Sequence, residues 1–344
     1  MSSGKPRSSF IVKRTLIGSV VVTDRIAIAA VGAIEPTLRR AEIERIGRKR
    51  PESLDSYELV LRAQGARPDA VWLMGVWERS PAATALARSH REVRAECEKA
   101  LPGLTERDIA GSPYAVRRYA VDPELGGDAG LDALRARLHE RGVGLLLDLV
   151  PNHVALDNPW LIEHPDAFVR GTEASLAADP GAFFRHPKTG EIFAHGRDPY
   201  FPAWTDTAQL DAQSPTYRDL LTRTLSRLTE LCDGVRCDMA MLLVQRVFEK
   251  TWAGARRDGA LDTELWPEVI AAAKRQRGAG GPFVFLAEVY WDMEAELQAQ
   301  GFDLTYDKRL YDRLLTRSAG AVRDHLLARA EYQARSLRFI ENHD

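Results

Sequence analysis

From about residue 54 onward, apolar positions along the chain follow two alternating rhythms. Segments with apolar residues three and four apart separate short runs that are apolar at nearly every position, the pattern of helices wound around a buried parallel sheet. Leu131, Leu134 and Leu138 share one helix face, Gly142 is placed to end that helix, and Val143 to Val150 reads as a strand buried on both sides. The next unit repeats the theme: Leu221, Leu225 and Leu228 lie on a helix, and Gly234 to Asp238 follow as a strand. Further strands are expected at Ala70 to Val76, Phe283 to Glu288, Phe302 to Tyr306 and Leu337 to Glu341. The class this predicts is α/β, a TIM-type (β/α)8 barrel.

Two stretches depart from the rhythm. Between His153 and about Asp206 the periodicity is lost, and Pro159, Pro165, Pro180, Pro187, Pro199 and Pro202 accompany a concentration of aromatics. Residues 154–206 are therefore expected to form an inserted loop domain after the third barrel strand, within a catalytic barrel over 54–344. Residues 1–53 form an N-terminal segment in which this pattern identifies no first barrel strand. Its apolar stretch Thr15 to Ile34 is interrupted by Asp24 and Arg25, which argues against a membrane-spanning helix.

Composition changes this picture little. The chain has 344 residues and a formal net charge of -2, and no basic tract carries interleaved aromatics, so neither nucleic acid nor a membrane is the expected partner. Cys97, Cys232 and Cys237 cannot all pair with one another and match no zinc spacing, which favours reduced thiols and the cytoplasm.

The candidate chemistry lies at strand ends. Asp148, Asp238, Glu288 and Asp344 each fall at or just beyond the carboxyl end of an expected strand, where barrel enzymes keep their sites. Any one of them alone reads as well as a salt bridge or a cap. Together with Arg236, His153 and His343 they make a candidate polar centre. Arg236 lies two positions before Asp238 and so faces the same way on a strand, able to hold its charge. Apolar neighbours and nearby carboxylates would favour a protonated Glu288.

Asp148-Leu-Val-Pro-Asn-His153, Gly234-Val-Arg-Cys-Asp238, Ala287-Glu-Val289 and Phe339-Ile-Glu-Asn-His-Asp344 occur in the order and rough spacing of the four signature regions of the α-amylase family, glycoside hydrolase family 13. The chain resembles that family over about residues 54 to 344. The resemblance implies a retaining glycosidase or transglycosylase acting on α-glucosidic bonds of α-glucans or oligosaccharides. Asp238 would be the nucleophile, Glu288 the acid and base, and Asp344 the residue that binds and distorts the sugar at the cleaved bond. It further implies that Tyr114, His153, Arg236 and His343 contact or order substrate, while Asp148 and Asn152 organise the site.

No cofactor is required by this resemblance. In calcium-dependent members the metal lies between the asparagine matched by Asn152 and an aspartate where this chain has Gln209, so calcium is allowed but not favoured. Trp160, Tyr200, Phe201 and Trp204 fit sugar stacking and packing of a small inserted domain equally well. The chain also ends at Asp344, before the eighth strand of a family barrel, so a barrel incomplete at its C-terminal end is expected. An alternative reading is a non-catalytic carbohydrate-binding or inactive shortened member.

Overall fold

The computed structural model describes residues 20–22, 26–30, 69–100, 105–255, 259–316 and 318–339. Its centre is an eight-stranded sheet. In chain order its strands are β1 (Val20–Val22), β2 (Ile26–Ala30), β3 (Ala70–Met74), β6 (Gly144–Leu149), β11 (Gly234–Cys237), β12 (Val284–Ala287), β13 (Leu304–Tyr306) and β14 (Ser336–Leu337). Spatial order follows chain order. Every pairing from β2 to β14 is parallel, while β1 runs antiparallel to β2.

This is the winding that alternating helices and double-buried strands dictate, because a parallel neighbour needs a long crossover to return the chain. The helix Gly127–His139 buries Leu131, Leu134 and Leu138 before β6, and Pro215–Leu231 buries Leu221, Leu225 and Leu228 before β11. Ser214 caps the latter by accepting from the Tyr217 amide, and Pro215 stands in the first turn, where its missing N–H leaves no bond unmade.

The strands coincide with the expected ones to within a few residues. β14 starts one residue earlier than expected, and Ile340 to Glu341 lie outside the described residues. The N-terminal segment holds a pair of strands that pattern alone did not identify. Ile26–Ala30 pairs in parallel with Ala70–Met74, taking the place before β3, and Asp24 and Arg25 fall between β1 and β2. The polar pair that interrupts the apolar run thus separates two short strands.

Glycine is required where β11 meets β12. A Cβ on Gly234 would stand 2.5 Å from the Val284 carbonyl oxygen, so only a bare Cα admits this approach.

Between β6 and the helix Pro215–Leu231 the chain forms short antiparallel pairs. β7 (His153–Ala155) pairs with β10 (Thr207–Gln209), and β8 (Phe183–Arg185) pairs with β9 (Ile192–Ala194). Earlier in the chain β4 (Trp77–Arg79) pairs with β5 (Val116–Val121). These irregular segments follow the carboxyl ends of β3 and β6 and so border one end of the sheet. No helix among the described residues is long and apolar enough to cross a membrane.

Candidate active site

Strand alternation places Arg236 opposite Asp148 on the neighbouring strand, since the two are register partners across β11 and β6. The Arg236 side chain is fully buried. Its Nη1 lies 3.0 Å from Asp238 Oδ1 and 3.3 Å from Asp148 Oδ1, and its Nη2 lies 2.6 Å from Glu288 Oε2. One guanidinium therefore gathers three carboxylates from three adjacent strands. Its contact with Glu288 was not foreseen from sequence.

Asp148 is held on several sides. Trp72 Nε1 donates to Oδ1 at 3.2 Å and the Gly75 amide to Oδ2 at 3.1 Å, while Trp77 Nε1 binds the Asp148 carbonyl at 2.8 Å. Gly75 reaches this pose with φ of 74°, a left-handed conformation glycine adopts without steric cost. Burial raises the Asp148 pKa to about 6, although Arg236 and the Gly75 amide favour its charge. Burial by itself would lower the Arg236 pKa. Glu288 and its other neighbours outweigh that and hold the guanidinium firmly protonated.

Glu288 is fixed at both oxygens. Tyr290 Oη donates to Oε1 at 2.8 Å, and the Met239 amide donates to Oε2 at 2.8 Å. Among the described residues, the non-glycine positions with left-handed φ are Met239 (43°), Trp291 (62°) and Asp292 (61°), next to Asp238 or just beyond Glu288. Each costs on the order of 1–3 kcal/mol, and such strain concentrates where surrounding contacts over-determine a site.

Aromatic rings line the guanidinium. Trp72, Tyr114 and Tyr306 have centroids 4.8, 5.4 and 5.9 Å from the Arg236 Cζ. Tyr114 donates to Met74 Sδ at 3.0 Å, and burial drives its phenol pKa well up. Its ring is half-buried, so the Tyr114 of the sequence reading does reach the same centre as Arg236. His153 is buried with a pKa lowered to about 3 by that burial, so it is neutral near pH 7. A neutral imidazole can donate one hydrogen bond and accept another.

Asn152 and Gln209 meet as paired amides. Gln209 Nε2 donates to the Asn152 carbonyl at 2.9 Å and to Asn152 Oδ1 at 3.0 Å, and Asn152 Nδ2 donates to Gln209 Oε1 at 3.3 Å. The oxygens a calcium ion would need are thus taken by an N–H₂ donor, and this residue set does not fit a calcium ion.

The four aromatics left open by sequence divide. Trp160 and Trp204 pack against the core, Trp204 with its ring 5.0 Å from that of His153. Tyr200 and Phe201 are exposed, and Tyr200 meets Trp291 edge to face at 5.0 Å. His343 and Asp344 lie outside the described residues. The structure brings together Tyr114, Asp148, Arg236, Asp238 and Glu288, and adds Trp72, Met239, Tyr290 and Tyr306. Only Tyr290 carried a sequence signal, its two-residue offset from Glu288.

Residues 69–298 match the family model described as alpha amylase, catalytic domain. Among curated relatives, an alpha-amylase, MalA, from Haloarcula japonica is 24% identical over 257 residues, covering 71% of this chain and 33% of its own length. The chain therefore spans about a third of that relative. Among solved structures, the maltogenic alpha-amylase AmyB from Thermotoga neapolitana aligns at 21% identity with a TM-score of 0.53, covering 85% of this chain and 55% of its own. The cyclic alpha-maltosyl-(1→6)-maltose hydrolase from Arthrobacter globiformis, in complex with its cyclic saccharide, aligns at 17% identity with a TM-score of 0.56, covering 84% and 55%. These two share the fold.

Proposed function

This chain belongs to the α-amylase family, and we propose that it cleaves or transfers α-glucosidic bonds of α-glucans or oligosaccharides with retention of configuration. Asp238 is the proposed nucleophile, Glu288 the acid and then the base, and Asp344 the proposed ligand of the sugar at the cleaved bond. The observation that carries this reading is the single guanidinium of Arg236, bonded to both Asp238 and Glu288.

Two carboxyl groups on one planar cation are kept close together, as the retaining geometry of about 5–5.5 Å requires. In the proposed cycle Glu288 protonates the departing oxygen while Asp238 attacks the anomeric carbon, giving a glycosyl ester. Water or a second sugar, deprotonated by Glu288, then releases the product. Arg236 keeps the Asp238 carboxylate ionised for attack. Tyr114 offers a ring against which the sugar can stack, and His153, neutral and buried, offers a hydrogen bond to its hydroxyls.

No calcium is assigned to this chain, because Gln209 occupies the oxygens of Asn152. A reducing, cytoplasmic compartment is proposed on the three buried free thiols of Cys97, Cys232 and Cys237.

The test is covalent trapping. A 2-fluoro α-glucosyl or maltosyl donor should label the protein, and peptide mapping should place the label on Asp238. A label on another carboxylate, or turnover that survives in Asp238→Asn, overturns the assignment.

A further inference from the structure

The turn after Glu288 is held in a conformation it would not adopt by itself. Trp291 and Asp292 are consecutive left-handed residues, and neither is glycine. Among the described residues, two contacts reach this turn from outside: the Tyr200 ring on Trp291, and an ion pair from the helix Lys308–Leu315, Arg309 Nε to Asp292 Oδ1 at 2.7 Å. Two residues beyond Asp292 stands Glu294, whose side chain is 1% exposed. Beyond its own main chain, neither carboxyl oxygen has a hydrogen-bond partner among the described residues.

Among the described residues, the charged and titratable groups facing Glu294 come from four places. Asp292 belongs to the turn, Arg309 to the helix Lys308–Leu315, Asp307 to the carboxyl end of β13 and Tyr332 to the helix Ala330–Ala334. Asp307 is itself engaged by His325 Nε2 at 2.9 Å and Arg338 Nε at 3.6 Å. Among the described cations, Arg309 acts directly on Glu294, and Asp292 and Asp307 oppose ionisation. Burial, the largest influence, raises the Glu294 pKa to about 7.

We propose that Arg309 is a positioning residue for which Asp292 and Glu294 compete, and that the proton on Glu294 keeps Arg309 on Asp292 and so keeps Tyr290 against Glu288. When that proton leaves to solvent, the buried carboxylate needs a partner, and Arg309 is the cation that already acts on it. Its transfer frees Asp292, and the strained pair Trp291–Asp292 relaxes. Tyr290 is the residue immediately before that pair, so its bond to Glu288 is lost with it. The catalytic consequence rests on the role proposed above for Glu288, whereas the proton equilibrium does not.

The experiment uses the full chain as wild type, Glu294→Gln, Arg309→Ala and Arg309→Lys, with Glu294→Met as a second neutral variant should the first fail to fold. Thermal midpoints are recorded from pH 5 to 8.5. A carboxyl whose pKa is raised in the fold contributes stability at low pH that is lost as pH rises towards 7. Wild type should therefore lose about 5 °C relative to Glu294→Gln between pH 5 and 8. With a maltooligosaccharide, wild-type kcat should fall several-fold through the same window while KM changes little, and Glu294→Gln should hold its kcat. Arg309→Ala should show the low kcat already at pH 5.5, partly recovered in Arg309→Lys. Parallel melting profiles of wild type and the neutral variant, or an Arg309→Ala profile identical to wild type, overturn the proposal. If no variant turns over substrate, the proposed function fails, and the melting series alone still decides the titration of Glu294.

Discussion

Tyr290 Oη donates to Glu288 Oε1 at 2.8 Å, and only one residue separates them along the chain. Because the backbone bonds of β12 end near Ala287, this contact and the Met239 amide orient the carboxyl of Glu288, the proposed acid, where the strand no longer does. Tyr290→Phe should therefore lower kcat by roughly tenfold with KM nearly unchanged, as expected for a group that orients the reacting carboxyl. Steady-state kinetics on a maltooligosaccharide checks it. A change confined to KM would mean that Tyr290 acts through substrate binding instead.

Arg236 is the partner of three buried carboxylates, so its loss should be felt well beyond activity. Arg236→Met should destabilise the fold by about 3–5 kcal/mol near pH 7, since it strands uncompensated buried charge. The loss should shrink in acid. Asp148 has a folded pKa raised to about 6, so the fold holds its proton more tightly than the unfolded chain, and stability falls as pH rises from about 4 to 6. Denaturant melts of both proteins at pH 5 and pH 7 measure the difference, and equal losses at the two values would contradict the account.

The paired amides of Asn152 and Gln209 predict indifference to divalent cations. Chelator and added calcium should each leave the melting temperature of the wild type unchanged. Gln209→Ala should cost about 1–3 kcal/mol, because the Asn152 carbonyl and Oδ1 lose their buried donor. A fall in melting temperature on adding chelator to the wild type would show a bound metal.

At the β11 and β12 junction the limit is steric. Gly234→Ala would set a methyl 2.5 Å from the Val284 oxygen and 2.8 Å from its Cβ, both closer than contact allows. About 1–3 kcal/mol of destabilisation is expected, with reduced activity following from displacement of the neighbouring strand that carries Glu288. Chemical denaturation with circular dichroism tests the first part. An alanine variant as stable as wild type would show that the strands part freely.

Much of the barrel was legible in sequence because its signals are local. Leu221, Leu225 and Leu228 define a helix face by spacing alone, and the continuous apolar run around Leu145 to Leu147 implies burial on both sides wherever the strand ends up. The first strand was not legible. Ile26–Ala30 is five residues long and follows another short apolar strand, so nothing in its own pattern separates a barrel strand from the rest of that run.

The sequence by itself determined which residue types stand at the ends of successive strands, and their order was enough to identify Asp238, Glu288 and Arg236 as a set. The tertiary structure decided how they meet. A strand's alternation predicts only that Arg236 and Asp238 share a side. That the same guanidinium also reaches Asp148 and Glu288 depends on the parallel register of three strands, which is set by packing between segments far apart in the chain. The left-handed turns at Met239 and Trp291–Asp292 and the unpartnered burial of Glu294 were decided in the same way. Each is locally unfavourable, and an unfavourable conformation leaves no trace in local preference because long-range contacts alone sustain it.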